Sequence, residues 1–209
     1  FTFDDFFFDL PNEEVKLALK NNDDIFLYGA KDSGKSFLLQ STCNYYASDY
    51  KSSVYIPISE AIKHETGFID SLEGLDLICL DDIDLIASNK DWEVGVFNLI
   101  NDCFSSNCRL IFSSSKNPSS INFELDDLRS RIKRIDHIEL YPISDANLPK
   151  AIKFVSQLRS IDLGDKEINY LVTYTKRNMS DLIEIISKLD QLSMELKRKI
   201  TVPLIKEII

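Results

Sequence analysis

The chain has 209 residues, of which 44% are hydrophobic and 28% are charged. This composition is that of an ordinary globular protein and excludes disorder as the main state, and the length limits the chain to two domains or fewer. The 24 Lys and Arg residues against 34 Asp and Glu residues give a net charge of −10, which opposes sequence-independent binding to nucleic-acid phosphates. A primary role in DNA binding is therefore disfavoured.

The cysteines and the amino-terminal segment indicate the compartment. Cys43, Cys79, Cys103 and Cys108 include no CxxC pair, so they are interpreted as free thiols in a reducing compartment rather than as metal ligands. No apolar run approaches the ~18–20 residues that cross a bilayer, and the Phe-rich start carries acids where a signal peptide carries bases. We expect a soluble, cytoplasmic protein. Because the first residue is Phe1 rather than Met, we also expect residues upstream.

Short apolar runs alternate with longer segments of helical period, which predicts a doubly wound parallel sheet with helices on both faces. Asn12 precedes the first helix and is a candidate N-cap. The fold class is therefore α/β, with a five-stranded sheet. The predicted strands are residues 24–28, 53–58, 75–80, 109–113 and 136–141, and the predicted helices are residues 13–20, 34–48, 92–104 and 125–132.

The strand signals end near Pro142, and helical periodicity takes over in the remaining residues. A last helix is predicted from Thr201, with Pro203 early in its first turn. We therefore predict two domains, a sheet-containing core at residues 1–143 and a small helical domain at residues 144–209.

Residues 29–36 have the sequence GAKDSGKS, which matches the phosphate-loop pattern GxxxxGK[ST] between an apolar strand and an apolar helix opening. The two glycines let backbone N–H groups point at phosphate oxygens, Lys35 neutralises the outer phosphates, and Ser36 offers a hydroxyl to Mg²⁺. This context predicts a nucleotide site. Its predicted nucleotide contacts are Gly29, Ala30, Lys31, Asp32, Ser33, Gly34, Lys35, Ser36 and Phe37.

Two adjacent acids, Asp81 and Asp82, follow an apolar run about 45 residues after the loop. Carboxylates at the carboxyl end of a parallel strand face the crevice in which ligands of such sheets bind. Asp81 is assigned to Mg²⁺ and Asp82 to the orientation or polarisation of the attacking water. Taken alone, the pair is equally compatible with a turn or a cap. Asp84 is interpreted as a solvated residue at a helix start.

The next predicted strand ends in the hydroxyls of residues 113–115, one of which could touch the terminal phosphate or the water; the alternative is a Ser-rich loop. Arg129 and Arg131 lie two positions apart on a predicted helix, so only one of them can face a given neighbour. An arginine presented to another subunit's nucleotide would stabilise the transition state of phosphoryl transfer, although a surface arginine is the default interpretation.

A phosphate loop, a strand ending in two acids, a polar strand edge, an arginine before the last strand and a helical lid, in that order, resemble the AAA+ family. Within it the chain is most similar to the DnaA-related group, and there to the Hda-type regulators of initiator inactivation. The narrower likeness is carried by Asp91-Trp92-Glu93 and by the tail around Pro203. The similar segments are residues 2–6, 87–97, 109–111, 128–131, 140–145, 189–192 and 199–208.

The resemblance implies a P-loop AAA+ core at residues 1–143 and a helical lid at residues 144–209, which bind ADP or ATP with Mg²⁺ between them. It makes Arg131 an arginine finger that acts in trans and places Ser115 at a phosphate-sensing position where initiators carry an acid. Phe6 belongs to a Phe cluster that is usually core, but in this family that segment runs beside the adenine.

The resemblance also implies that the lid supplies a second sensor arginine, and the matching position here is Ser180. Arg177 lies one turn away and is the candidate substitute. Because Ser180 carries no guanidinium, we expect the chain to be at most a weak ATPase.

The function implied by the resemblance is regulation of DNA replication. The protein would dock on an ATP-bound DnaA-type initiator and stimulate its ATP hydrolysis, which prevents re-initiation. A DNA-loaded sliding clamp would join through a peptide ahead of Phe1, and nucleotide-bound copies would form a homo-oligomer.

We expect no specific DNA binding, because residues 59–75 are too few for the helix with which initiators engage origin DNA, and no helix-turn-helix follows Ile209. Two alternatives remain open. One is a stand-alone ATPase such as an IstB/DnaC-like helicase loader, and the other is a truncated initiator core.

Overall fold

The structure is a computed structural model that describes residues 1–175 and 179–209. The first part of the chain alternates helices and strands, which are α1 (Glu13–Lys20), β1 (Ile25–Tyr28), α2 (Lys35–Ser48), β2 (Ser53–Pro57), α3 (Ile58–Ala61), β3 (Leu77–Asp81), α4 (Lys90–Ser106), β4 (Arg109–Ser114), α5 (Asp126–Ile132) and β5 (Asp136–Glu139). The second part is helical and contains α6 (Leu148–Leu158), α7 (Asp165–Tyr174), α8 (Met179–Leu196) and α9 (Val202–Lys206).

The five strands form one parallel sheet, as the sequence predicts, and their order is β2-β3-β4-β1-β5. Every residue of β3 and β4 is buried, and because successive side chains point to opposite faces, both faces of the sheet are covered. The chain leaves β1 toward one side of the sheet and leaves β4 toward the other. The crevice between the carboxyl ends of β1 and β4 is therefore the switch point at which such sheets bind ligands.

The chain divides into two compact units. The core unit comprises residues Phe1–Phe3 and Leu10–Tyr141, and the helical unit comprises Asp4–Asp9 and Pro142–Ile209. The core unit is centred on apolar strand residues, among which the rings of Phe26 and Phe112 stack with their centroids 6.1 Å apart. No helix of residues 1–175 or 179–209 is long and apolar enough to span a bilayer.

The helical unit has its own core, built from the residues whose spacing predicted the helices. Leu148, Ile152, Leu171, Leu182 and Ile186 are buried there. The last helix has Pro203 in its first turn, as predicted. Residues 4–9 pack with this unit, and the ring of Phe7 lies 5.6 Å from that of Phe154 between centroids.

Three details of the core unit differ from the predictions. Pro57 ends β2, so Ile58 begins the short helix α3, and two further 3₁₀ turns follow before β3 where no element was predicted. Asn12 precedes α1 but makes no side-chain capping bond. Its amide instead donates to the carbonyl of Tyr141 at 3.0 Å and accepts the N–H of Tyr141 at 2.9 Å, which fastens the exit of β5 to the start of α1.

Candidate nucleotide-binding site

The phosphate loop connects β1 to α2, and its two glycines have separate structural reasons. A Cβ atom at Gly29 would collide with the carbonyl oxygen of Leu140. Gly34 has φ = 100° at the N-cap position of α2, in the left-handed region that glycine adopts without strain. The loop therefore leads directly from the carboxyl end of β1 into the amino terminus of α2. The first N–H groups of a helix have no helical partner and are free to bind a ligand.

Lys35 is 5% exposed and folds back on the loop. Its ammonium donates to the carbonyl oxygens of Gly29 and Ala30, each at 2.9 Å. Burial lowers the pKa of Lys35, and the negative charges of Asp82 and Asp81 oppose that shift. The positive charge is thus held at the edge of the sheet that carries the acids.

The carboxylate of Asp81 is buried and accepts two hydroxyl donors. The Ser113 hydroxyl donates to Oδ1, and the Tyr55 hydroxyl donates to Oδ2 at 2.5 Å. Ser113 also accepts the backbone N–H of Asp82 at 2.9 Å. Asp82 has φ = 58°, and burial followed by the charge of Asp81 raises its pKa. Burial, and then the hydrogen bond to Asp81, raise the pKa of Tyr55 to about 12.

Asp84 is not simply a solvated residue, which corrects the sequence-based interpretation. Its carboxylate accepts the hydroxyls of Ser114 and Ser115, each at 3.0 Å. The reason is that the 3₁₀ turn Ile83–Ile86 places Asp84 beside the end of β4. Ser115 is exposed, and its contact with a phosphate stays a prediction.

Arg131 lies at the amino ends of the parallel strands, whereas the phosphate loop lies at their carboxyl ends. It is half-buried and lines a cleft with Asp23, Asp24, Arg134 and Asp136, which are at the amino ends of β1 and β5. Arg129 is exposed and forms an ion pair with Asp126 on the same helix. The two arginines therefore have different environments, and Arg131 lies at the edge away from the nucleotide site of its own chain.

The remaining predicted nucleotide contacts are only partly brought together. Phe37 is half-buried in α2, and its ring lies 4.8 Å from that of Phe1 between centroids. Phe6 belongs to the helical unit, where its ring lies 4.7 Å from that of Phe8. Arg177 lies outside the described residues, and Ser180 is in the first turn of α8. The roles of Phe6 and Arg177 stay predictions.

Tyr55 and Ser113 are the site residues that sequence reasoning missed as partners of Asp81. Ser113 was considered only as one of three strand-end hydroxyls. Tyr55 was treated as an ordinary strand residue, and the signal that could have found it is the pairing of β2 with β3, which sets Tyr55 opposite Cys79 and on the face of Asp81. All four cysteines are free.

A five-stranded parallel sheet with this strand order, a phosphate loop after its interior strand β1, acids at the end of β3 and a carboxyl-terminal helical unit define a P-loop protein of the AAA+ class. The sequence profile of the bacterial DnaA ATPase domain matches residues 10–136, and that of the Hda lid domain matches residues 145–209. The chain belongs to the DnaA-related AAA+ family and carries an Hda-type lid.

Individual proteins are similar to the chain in sequence or in fold. An uncharacterized protein of Haemophilus influenzae is 31% identical over 196 residues, covering 91% of this chain and 85% of the relative. The fold is similar to domain III of the Thermotoga maritima initiator DnaA, with a TM-score of 0.84, 19% identity and coverage of 100% of this chain and 96% of that chain. AMPPCP-bound DnaA of Aquifex aeolicus gives a TM-score of 0.80 and 22% identity over 93% of this chain. The chain spans 66% of that protein's length.

Proposed function

We propose that the chain binds an adenine nucleotide with Mg²⁺ at its phosphate loop. Lys35 and the α2 amino terminus would hold the phosphates. The Ser33 hydroxyl is buried in this loop and has no hydrogen-bond partner among residues 1–175 and 179–209, and a phosphate oxygen is an acceptor that would satisfy it. Ser36 and Asp81 would hold Mg²⁺, which prefers oxygen ligands and supplies neutralising charge at the phosphates when bound.

We further propose that the protein acts on the nucleotide of a partner. The observation that carries this proposal is the position of Arg131, at the amino-terminal edge of the sheet and away from its own phosphate loop. A guanidinium there can stabilise transition-state charge only on a nucleotide bound by another molecule. The Hda-type lid supports an ATP-bound DnaA-type initiator as that molecule. A sliding clamp as the third component is implied only by the resemblance to Hda-type regulators.

The test mixes the protein with the ATP-bound initiator, with and without DNA-loaded clamp, and measures phosphate release. We expect Arg131→Ala to lower partner hydrolysis by about 10²-fold or more, because a transition-state contact is lost. Arg131→Lys should rescue little, since a point charge does not reproduce the planar fork. Nucleotide binding by the variant itself should be unchanged.

Arg129→Ala is the matched control, because Arg129 lies on the same helix and pairs with Asp126. It should leave stimulation intact. If Arg129→Ala abolishes stimulation and Arg131→Ala does not, the finger has been assigned to the wrong arginine. If neither variant changes phosphate release, the mechanism in trans is wrong.

A second candidate is a stand-alone ATPase, such as a helicase loader. It is favoured by Asp82, whose carboxylate follows β3 and interacts electrostatically with Lys35. A water-activating carboxylate at this edge would act on the chain's own nucleotide. Rapid steady-state hydrolysis by the protein alone, abolished by Asp82→Asn, would support this function over regulation of a partner.

A further inference from the structure

Tyr55 connects the two residues assigned to Mg²⁺ in the proposed function. It lies on β2, and its hydroxyl donates to Oδ2 of Asp81 at 2.5 Å. The side chains of Gln40 and Ser36, both on α2, act on the same hydroxyl. The Tyr55 hydroxyl therefore lies where the end of β3 meets the first turns of α2. It is next to the Asp81 carboxylate of β3 and the Ser36 hydroxyl of α2.

The carboxylate of Asp81 is held at both of its oxygens. Oδ1 accepts the Ser113 hydroxyl, and Ser113 is itself fixed by the N–H of Asp82 at 2.9 Å. Oδ2 accepts the Tyr55 hydroxyl. Each carboxylate oxygen has two lone pairs, so both oxygens keep one for a further ligand. Two neutral donors thus fix the plane of the carboxylate without placing a positive charge beside it.

The tyrosine hydroxyl is more than the strand needs for packing. Phenylalanine would fill the same half-buried place on β2, which pairs with β3 through its backbone. The hydroxyl adds one bond to a buried carboxylate that Ser113 already satisfies at its other oxygen. Its contacts to Asp81 and Ser36 therefore indicate a role at the metal site.

We infer that Tyr55 is a positioning residue for Mg²⁺, which orients the Asp81 carboxylate toward the metal that accompanies the nucleotide. The inference rests on the proposed nucleotide-binding function. Hydrogen bonds that orient a metal-ligating carboxylate raise metal affinity, and their loss typically costs ~10–100-fold. Tyr55 lies on β2, which contributes no residue to the phosphate loop. Through this hydrogen bond, the affinity of the site for Mg²⁺ depends on β2.

The experiment compares the full chain with Tyr55→Phe by calorimetric titration of ADP, in excess Mg²⁺ and in EDTA. We expect the gain in ADP affinity that Mg²⁺ provides to fall by about tenfold in the variant. Affinity in EDTA should stay within about twofold of the unsubstituted protein, because the phosphate loop is unchanged. Mn²⁺ provides a second readout, since loss of its free-ion resonance signal measures metal bound to the protein–ADP complex directly.

Tyr28→Phe is the matched control. The Tyr28 hydroxyl also donates to a carboxylate, that of Glu139 at 3.3 Å, and Tyr28 also lies on a strand of the same sheet. This variant should keep the full Mg²⁺ dependence. Thermal unfolding of both variants checks that the fold is retained.

The outcomes are distinguishable. An equal loss of ADP affinity with and without Mg²⁺ would make Tyr55 purely structural and overturn the inference. A larger gain from Mg²⁺ in the variant would show that the hydroxyl competes with the metal and would overturn it as well. An unchanged gain overturns the inference alone, whereas failure of the unsubstituted protein to bind ADP or ATP overturns the proposed function.

Discussion

At the scale of single residues, the site depends on charged side chains that hydrogen bonds hold in place. Lys35 is fixed by two carbonyl oxygens of its own loop, and Asp81 by two hydroxyls from neighbouring strands. Neither side chain has to be ordered when a ligand arrives, so little conformational entropy is lost on binding. Burial of these charged groups is tolerated because each one is hydrogen-bonded.

We predict that Lys35→Ala lowers nucleotide affinity at least tenfold, a loss of about 1.4 kcal/mol. The reason is that the loop then lacks the cation held beside the outer phosphates. Calorimetric titration of ADP and ATP measures the effect. Lys31→Ala is the control, because Lys31 is exposed in the same loop and its side chain should contribute much less. Unchanged affinity in Lys35→Ala would contradict the assignment of the phosphate site.

At the scale of elements, Arg109 ties α1 to the start of β4. Its guanidinium is buried and donates to the carbonyls of Asp23, Leu19 and Ala18 at 2.8 to 3.0 Å, and to the Tyr46 hydroxyl at 3.3 Å. Leu19 and Ala18 are in the last turn of α1, where carbonyls lack the usual i+4 partner, and the Ala18 carbonyl also accepts the N–H of Asn21. A cation at a helix carboxyl terminus also meets the favourable end of the helix dipole.

We predict that Arg109→Met lowers the free energy of unfolding by about 3 kcal/mol, because the carbonyls of Leu19, Ala18 and Asp23 lose a charged donor in a buried or part-buried place. Urea denaturation measures this. Arg129→Met is the matched control, since its exposed ion pair with Asp126 contributes about 0–1 kcal/mol. Equal losses in the two variants would show that the Arg109 contacts contribute little.

Another element contact depends on Glu93, part of the motif that carried the family resemblance. Its buried carboxylate accepts the N–H groups of Ser88 at 2.9 Å, Glu124 at 3.1 Å and Leu125 at 2.7 Å. It therefore fixes the amino end of α5, the helix that carries Arg131. Glu93 of this motif is therefore explained by its contact with the amino end of α5 rather than by a role in catalysis.

The difference between what could and could not be predicted follows from sequence distance. The phosphate loop and the acids of β3 are contiguous with apolar strands, so pattern alone located them. The partners of Asp81, Arg109 and Glu93 lie tens of residues away and depend on strand register and helix packing. Asn12 illustrates the same limit, because a local rule predicted a helix cap while Tyr141, distant in sequence, formed the bonds.

At the scale of the whole molecule, the core unit has different functional groups at the carboxyl ends and at the amino ends of its strands. The carboxyl-terminal edge carries the phosphate loop and the acids, and the amino-terminal edge carries Arg131 and Arg134. Such a molecule can bind a nucleotide at one edge and contact the nucleotide of a neighbour with the other. Contacts of this kind are heterologous, because they join two different surfaces. They form a closed ring only if the rotation between successive copies brings the last copy into contact with the first.

We predict that ADP or ATP promotes self-association of the protein, since a bound nucleotide supplies the anion that the arginine edge of a second copy recognises. Each copy carries a net charge of −10, so repulsion should weaken the assembly at low ionic strength and moderate salt should strengthen it. Sedimentation velocity with and without nucleotide measures this. Arg131→Ala should abolish the nucleotide effect, and a nucleotide-independent monomer would contradict the prediction.

The position of β1 in the sheet has a consequence for the order in which the chain folds during synthesis. Its partners are β4 and β5, and Ile25 pairs with Ile111 and Asp136. A ribosome that adds ~5–20 residues per second leaves β1 without a neighbour for roughly 4–17 s. The phosphate loop gains its backbone hydrogen bond to β4, from the N–H of Gly29 to the carbonyl of Ser114, only after β4 is complete. We therefore expect β2 and β3 to pair first during synthesis, before the apolar strand β1 has a partner.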